Sequence, residues 1–355
     1  MKTEDRKTRY PLHITISVLF ITLVLIMGLV LSWQNYSRTS EIILSTADRV
    51  YEQVTRELIL DFNGTYKPVA DALRLLAISP VTAAGSLEQR LESLESFSVA
   101  LGNKSSVAAI QVGYENGDYF IVRQIASGYM RGKFDAPDAS VFMVDHVETG
   151  ANGERMLVRL FFDGQLQELQ RQAASATGYD PRVRPWYTGA DAQPAATRPY
   201  LFYFIGKVGA TIALKTPVPG VVIASDVTLD QLSTTVSRHQ ITPGSEVVLI
   251  GADGKVLAYR DPRKLIHATD EGGFRIARLP ELGSDVLAFL GKDLKPAAQS
   301  LDFDFDGQRW KGSVHKVAQS GGVDLFALMV SPVNELLSEA VAIRWLSLVI
   351  TAIII

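Results

Sequence analysis

Residues 11–33, Pro11-Leu-His-Ile through Val-Leu-Ser-Trp33, contain no Asp, Glu, Lys or Arg. About 20 such residues cross a bilayer as a helix, and this run constrains the chain more than any other stretch. Lys2, Arg6, Lys7 and Arg9 precede it against Glu4 and Asp5, and Trp33 closes it. Basic residues stay on the cytoplasmic side of a span, and Trp collects at the interfaces. The expected layout is a cytoplasmic N-terminus at 1–10, a transmembrane helix at 11–33, and the following residues outside the cytoplasmic membrane. A cleaved signal peptide would have a shorter apolar region followed by a small-residue cleavage site, and no such site follows Trp33.

The other end mirrors the first. Residues 332–342 read as an exit helix. Residues 343–355 begin a second transmembrane helix with Arg344 and Trp345 as interface anchors. Eleven residues follow Arg344, about half a span, so a fragment of a longer receptor or a truncated gene is expected. The 355 residues are enough for two ordinary domains. Without residues 1–10 and Arg344, 30 basic side chains face 36 acidic ones, a net of −6. That does not suggest a nucleic-acid partner. The absence of cysteine rules out disulfides and thiolate metal sites.

Ile43, Ala47, Val50, Val54 and Leu58 recur at spacings of three and four, which predicts a long amphipathic helix over 34–74. Asn63-Gly64 and Pro68 predict a break or kink in it, with the helical pattern resuming at Val69, Leu73 and Leu76. Ser86-Leu-Glu-Gln89 reads as a capping box that opens a helix with Leu87, Leu91, Leu94 and Leu101 on one face. From Ser106 the period falls to two. Strands at 107–114 and 119–125 flank the hairpin turn Glu115-Asn-Gly-Asp118. Further strands are expected at 157–162, 200–205, 209–215 and 220–225, then a helix from about 229. The second half repeats the pattern, with strand pairs around Ala252-Asp-Gly254 and Asp306-Gly307 and a buried strand at 324–330. Each half combines helices with an antiparallel meander, an α+β layer architecture.

The segment Tyr179-Asp-Pro-Arg-Val-Arg-Pro-Trp-Tyr187 carries the chemistry. Pro181 and Pro185 fix φ and remove backbone donors, which gives a stiff turning loop. Arg184 offers a planar fork suited to a carboxylate. Tyr179, Trp186 and Tyr187 offer π faces for a cation. The plainer reading makes Trp186 and Tyr187 core residues and pairs the arginines with Asp180. Asp226, at the end of the strand at 220–225, reads by itself more readily as a helix cap than as a cleft group.

The nine-residue motif resembles that of double Cache (dCache) sensor domains, the extracytoplasmic ligand-binding domains of bacterial receptors. The resemblance extends over roughly 34–340. It implies a long N-terminal helix with two PAS-like antiparallel-sheet modules, membrane-distal at 75–230 and membrane-proximal at 231–331, between transmembrane helices. It implies a homodimer through the long helix, a small-molecule ligand and no cofactor. Family members that bind amino acids or amines match at Tyr179, Arg184, Trp186 and Tyr187, then at Tyr200 and Asp226. Tyr203 could stand in for Tyr200. The output module, absent from this chain, would be a cytoplasmic chemoreceptor, histidine kinase or nucleotide cyclase domain, and the receptor would sit in the bacterial inner membrane with its sensor domain periplasmic.

Two alternatives are a periplasmic enzyme acting on an amino-acid-like substrate and a sensor of a plain carboxylate. The enzyme reading lacks an evident nucleophile–base pair or metal set, since the five histidines are scattered. Asp302-Phe-Asp-Phe-Asp-Gly307 imitates the start of a calcium loop, but Ser313 stands where the bidentate Glu belongs. A half-buried strand and hairpin turn are expected there instead.

Overall fold

The computed structural model describes residues 11–102, 106–150, 152–269 and 273–354. The basic N-terminal segment lies outside them. Helix α1 (Leu12–Leu76) is a single 65-residue helix. It contains the expected break at Asn63-Gly64 and Pro68 without stopping. Pro68 cannot donate to the Gly64 carbonyl and should cost a helix interior about 3 kcal/mol. Both residues are exposed, so water can take up the orphaned carbonyl. Burial of Val69, Ala70, Leu73 and Leu76 immediately beyond offsets the loss.

Two buried patches lie along α1. Ala47, Tyr51, Val54 and Leu58 pack on one sheet. Val69, Leu73 and Leu76 pack on another. At 1.5 Å per residue, the centres of the two patches are roughly 30 Å apart. The helix therefore carries two modules in series, and the second sheet in sequence sits nearer the apolar end.

The first module follows α2 (Leu87–Leu91) and α3 (Leu94–Leu101), two short helices where the leucine pattern predicted one. Ser86 caps α2 by accepting from the Gln89 amide, while the Gln89 side chain accepts from the Gly85 amide at 2.8 Å. The main strands are β1 (Val107–Gly113), β2 (Tyr119–Gln124), β3 (Phe142–Thr149), β4 (Arg155–Phe162), β5 (Lys207–Lys215) and β6 (Val222–Thr228). They lie in the order β4-β3-β2-β1-β6-β5 within an antiparallel ten-stranded sheet. Side chains alternate between the faces of a strand. Ile110, Val112, Phe120, Val122 and Ile223 face α1 and α3. Ala109, Tyr119, Ile121, Ala213 and Ala224 face the loop that carries Trp186.

Helix α4 (Asp230–Arg238) leads to the second module. There β7 (Glu246–Gly251), β8 (Val256–Tyr259), β9 (Gln299–Phe305), β10 (Gln308–Ser320) and β11 (Val323–Pro332) form a five-stranded sheet in the order β8-β7-β11-β10-β9. Asp306 and Gly307 take positive φ at the β9–β10 turn, as a hairpin requires. The Tyr51 hydroxyl donates to the Lys311 carbonyl at 3.0 Å and ties α1 to this sheet.

Helix α5 (Ser338–Ile354) returns alongside the apolar part of α1. A Cβ at Gly28 would lie 2.6 Å from Cγ2 of Thr351, so the glycine allows the close approach. Arg344 stands 4.7 Å from the Tyr36 ring centroid.

Candidate ligand-binding site

The motif does not remain extended. Asp180 accepts from the Arg182 amide at 3.0 Å and caps the turn Pro181–Val183. A second helical turn, Pro185–Thr188, follows directly. Each proline sits where a helix can spare an N–H. Asp180 also receives Arg182 at 2.9 Å and Arg155 at 2.6 Å, which holds the carboxyl below its usual range, chiefly through the Arg182 hydrogen bond. The plainer reading thus applies to Arg182. For Arg184, no carboxylate partner occurs among the described residues. Its guanidinium lies 5.5 Å from the Tyr179 ring centroid.

The two turns lie over the sheet and enclose a cavity of about 480 Å³. Tyr179, Arg184, Trp186, Tyr200 and Asp226 line it. Trp186 is buried against Tyr119 and Tyr187, with ring centroids 6.2 and 5.8 Å away. Tyr187 stands outside the lining; its hydroxyl donates to the Gly220 carbonyl at 2.5 Å. Tyr200 faces inward, its hydroxyl 2.6 Å from Thr211 Oγ1. Tyr203 is 59% exposed and lies at the rim.

Asp226 lies inside β6 rather than at its end, paired with Ala109 of β1 and Thr211 of β5. It caps nothing, since Leu229 holds the cap position of α4. Its Oδ1 accepts from Thr211 Oγ1 at 2.6 Å and from Gln111 Nε2 at 3.0 Å. Tyr119 donates to the other end of the Gln111 amide. Burial pushes the Asp226 carboxyl up to about 6, against the opposing effects of Thr211, Arg123, Gln111 and Arg184. The group is thus a carboxylate near neutral pH, with one oxygen engaged by protein donors.

Gln111, Tyr119 and Arg123 also line the cavity and were missed in the sequence. Tyr119, Ile121 and Arg123 alternate along β2, and Gln111 interrupts the otherwise apolar β1. Polar residues recurring at period two in apolar strands are the signal that could have found them. The cavity combines opposite charges with aromatic walls. It can hold a small molecule with an anionic end near Arg184 and a cationic end near Asp226.

No protein-family model matches the chain. It is 34% identical over 159 residues to adenylate cyclase 1 of Rhizobium meliloti, a match to 44% of this chain and 24% of that protein. It is 30% identical over 98 residues to the methyl-accepting chemotaxis protein PscA of Pseudomonas syringae pv. tomato, 26% of this chain and 16% of that protein. The matched stretches thus span a quarter or less of these curated relatives. Among solved structures, the ligand-binding domain of the Campylobacter jejuni chemoreceptor Tlp3, in complex with 4-methylisoleucine, aligns at 14% identity. Its TM-score is 0.51, with 84% of this chain and 93% of that one covered. The chain therefore has the fold of bacterial chemoreceptor ligand-binding domains, the double Cache arrangement of two antiparallel-sheet modules on one long helix.

Proposed function

We propose that the chain is the sensing part of a bacterial transmembrane signalling receptor and binds an amino acid or amine in the first module. The observation that carries this reading is the pairing of Arg184 and Asp226, opposite in charge, in one aromatic-walled cavity. A zwitterion satisfies both, with its carboxylate on Arg184 and its ammonium on Asp226. Tyr179, Trp186 and Tyr200 line the space between, and Tyr187 braces the loop against Gly220. The amino-acid ligand in the Tlp3 complex supports the same class.

In this reading residues 75–230 form the membrane-distal module and 231–331 the proximal one. Helix α1 crosses the inner membrane over 11–33, and both modules stand on the periplasmic side. A second copy would pair through α1. The Thr197 amide donates to the Thr211 carbonyl at 2.8 Å, the Thr211 amide donates to Thr197 Oγ1 at 3.0 Å, and the Thr197 carbonyl accepts from Ser320 Oγ of β10 at 2.7 Å. Contacts thus run from Asp226 through Thr211 to the second module, and from there to α1 and α5. The relatives' names suggest a cyclase or chemotaxis output for the whole protein.

Calorimetry on the full chain in nanodiscs, with a panel of L-amino acids and amines, tests the binding step. Saturable binding that is lost on Arg184→Ala supports it, and no binding across the panel refutes it. A reporter fused after Ala100 tests the topology, and cytoplasmic reporter activity would overturn it.

A further inference from the structure

Arg123 is a second cation on the cavity wall. It sits on β2, paired with Ala109 of β1, and Ala109 is paired in turn with Asp226 of β6. Arg123 and Asp226 therefore occupy one row of the sheet, two strands apart, with Cα atoms about 10 Å from each other. The residue between them is alanine, so the floor of the cavity is open along this row.

The charge of Arg123 is only partly compensated. Its Nη1 donates to Asp145 Oδ2 at 2.6 Å. Asp145 is already held by Arg159 through two bonds, Nε to Oδ1 at 2.6 Å and Nη2 to Oδ2 at 3.1 Å. Two guanidinium groups thus share one carboxylate. That leaves a net charge of +1 on this group of three, and all three side chains are mostly buried. Arg123 is fixed from above by Phe204, whose ring centroid is 5.1 Å away. Its Nε finds no hydrogen-bond partner, and no bond to its Nη2 forms among the described residues.

A neutral amino acid would satisfy Arg184 and Asp226 and leave this excess positive charge beside the ligand side chain. A mostly buried charge without full compensation is costly. We infer that the ligand is an amino acid with an acidic side chain, whose second carboxylate is received by Arg123. This rests on the amino-acid reading above and narrows it from any zwitterion to an anionic one. Ligand recognition then has three charged points: Asp226 for the ammonium, Arg184 for the α-carboxylate and Arg123 for the side-chain carboxylate.

The test compares each acid with its amide, which changes the charge and keeps the shape. Full chain in nanodiscs is titrated by calorimetry with L-glutamate, L-glutamine, L-aspartate and L-asparagine. One or both acids should bind at least about tenfold more tightly than the matching amide, as a charge-assisted hydrogen bond implies. Arg123→Gln should bring the acid-to-amide affinity ratio towards one, and Arg123→Lys should retain part of it. If Arg123→Gln does not fold, the wild-type ratio still decides. Amides or apolar amino acids that bind as tightly as the acids would overturn this inference and leave the amino-acid reading standing. Failure of every amino acid to bind would overturn both.

Discussion

Gly113 leaves no room for a side chain beneath Trp186: a Cβ there would lie 2.8 Å from the Trp186 Cη2 atom. Pro181 and Tyr187 would be met at 2.9 Å each. The turns bearing Arg184 and Trp186 rest directly on the backbone of β1, and this close approach sets the depth of the cavity. Gly113→Val should lift the loop. Overpacking of this kind costs about 1–3 kcal/mol. The expected outcome is a lower thermal midpoint together with weaker ligand binding, read by thermal unfolding and calorimetry on the same variant.

Arg184→Ala and Asp226→Ala should each weaken the bound amino acid at least about tenfold, a loss of roughly 1.4 kcal/mol. Each substitution removes one charge-assisted contact and leaves the opposite end of the ligand's charge pattern without its counterpart. Calorimetry separates ligand classes as well. A ligand sensitive to Arg184 but not to Asp226 is a plain carboxylate, and the reverse pattern marks an amine.

Binding should also depend on pH through Asp226. Burial raises its carboxyl to about 6, above the unfolded value. Without ligand, the stability held at low pH is therefore lost as pH rises from about 4 through about 6. Ligand binding has the opposite sign, because an ammonium needs the ionised carboxylate. Affinity for an amino acid should fall about tenfold between pH 7.5 and pH 5. In Asp226→Asn this step should vanish, which calorimetry at the two pH values checks.

A buried charge group away from the cavity should act on stability. Arg90 and Asp118 pair at 2.9 Å with side chains 1% and 3% exposed. Arg90 also contacts His146 Nδ1 at 3.2 Å and lies 3.9 Å from the Tyr114 ring centroid. Burial, reinforced by Arg90, holds His146 down at about 4. Arg90→Met strands the Asp118 carboxylate and should cost about 3–5 kcal/mol. Adding Asp118→Asn should recover part of this loss. Thermal unfolding of the single and double variants measures it, and the acid-to-amide selectivity should not move.

Much of this architecture can be read from the chain where one force dominates. The spacing of Ala47, Val54 and Leu58 marks the buried face of α1, and the turn at Glu115–Asp118 marks the β1–β2 hairpin. Strand β3 escapes such reading because Asp145 and His146 interrupt its apolar pattern. Both are buried and paired with arginines from other elements, so their partners become visible only in the fold. Arg123 is hidden for the same reason. Pro68 misleads in the other direction: packing on both sides of it carries α1 through a residue that local propensity would use as a stop. Tyr179, Arg184, Trp186 and Tyr200 meet Asp226 in one cavity although the whole of β5 lies between them and Asp226 in sequence. Spacing by itself could not distinguish that role for Asp226 from a helix cap.

The most direct test of the central proposal is a thermal-shift titration of the full chain with individual L-amino acids, acidic ones first. A ligand at about 100 times its Kd adds roughly 2.7 kcal/mol to the folded state. At least one amino acid should give a saturable upward shift that is absent in the Arg184→Ala/Asp226→Ala double variant. No shift with any amino acid or amine, or an equal shift in the double variant, would contradict the proposal.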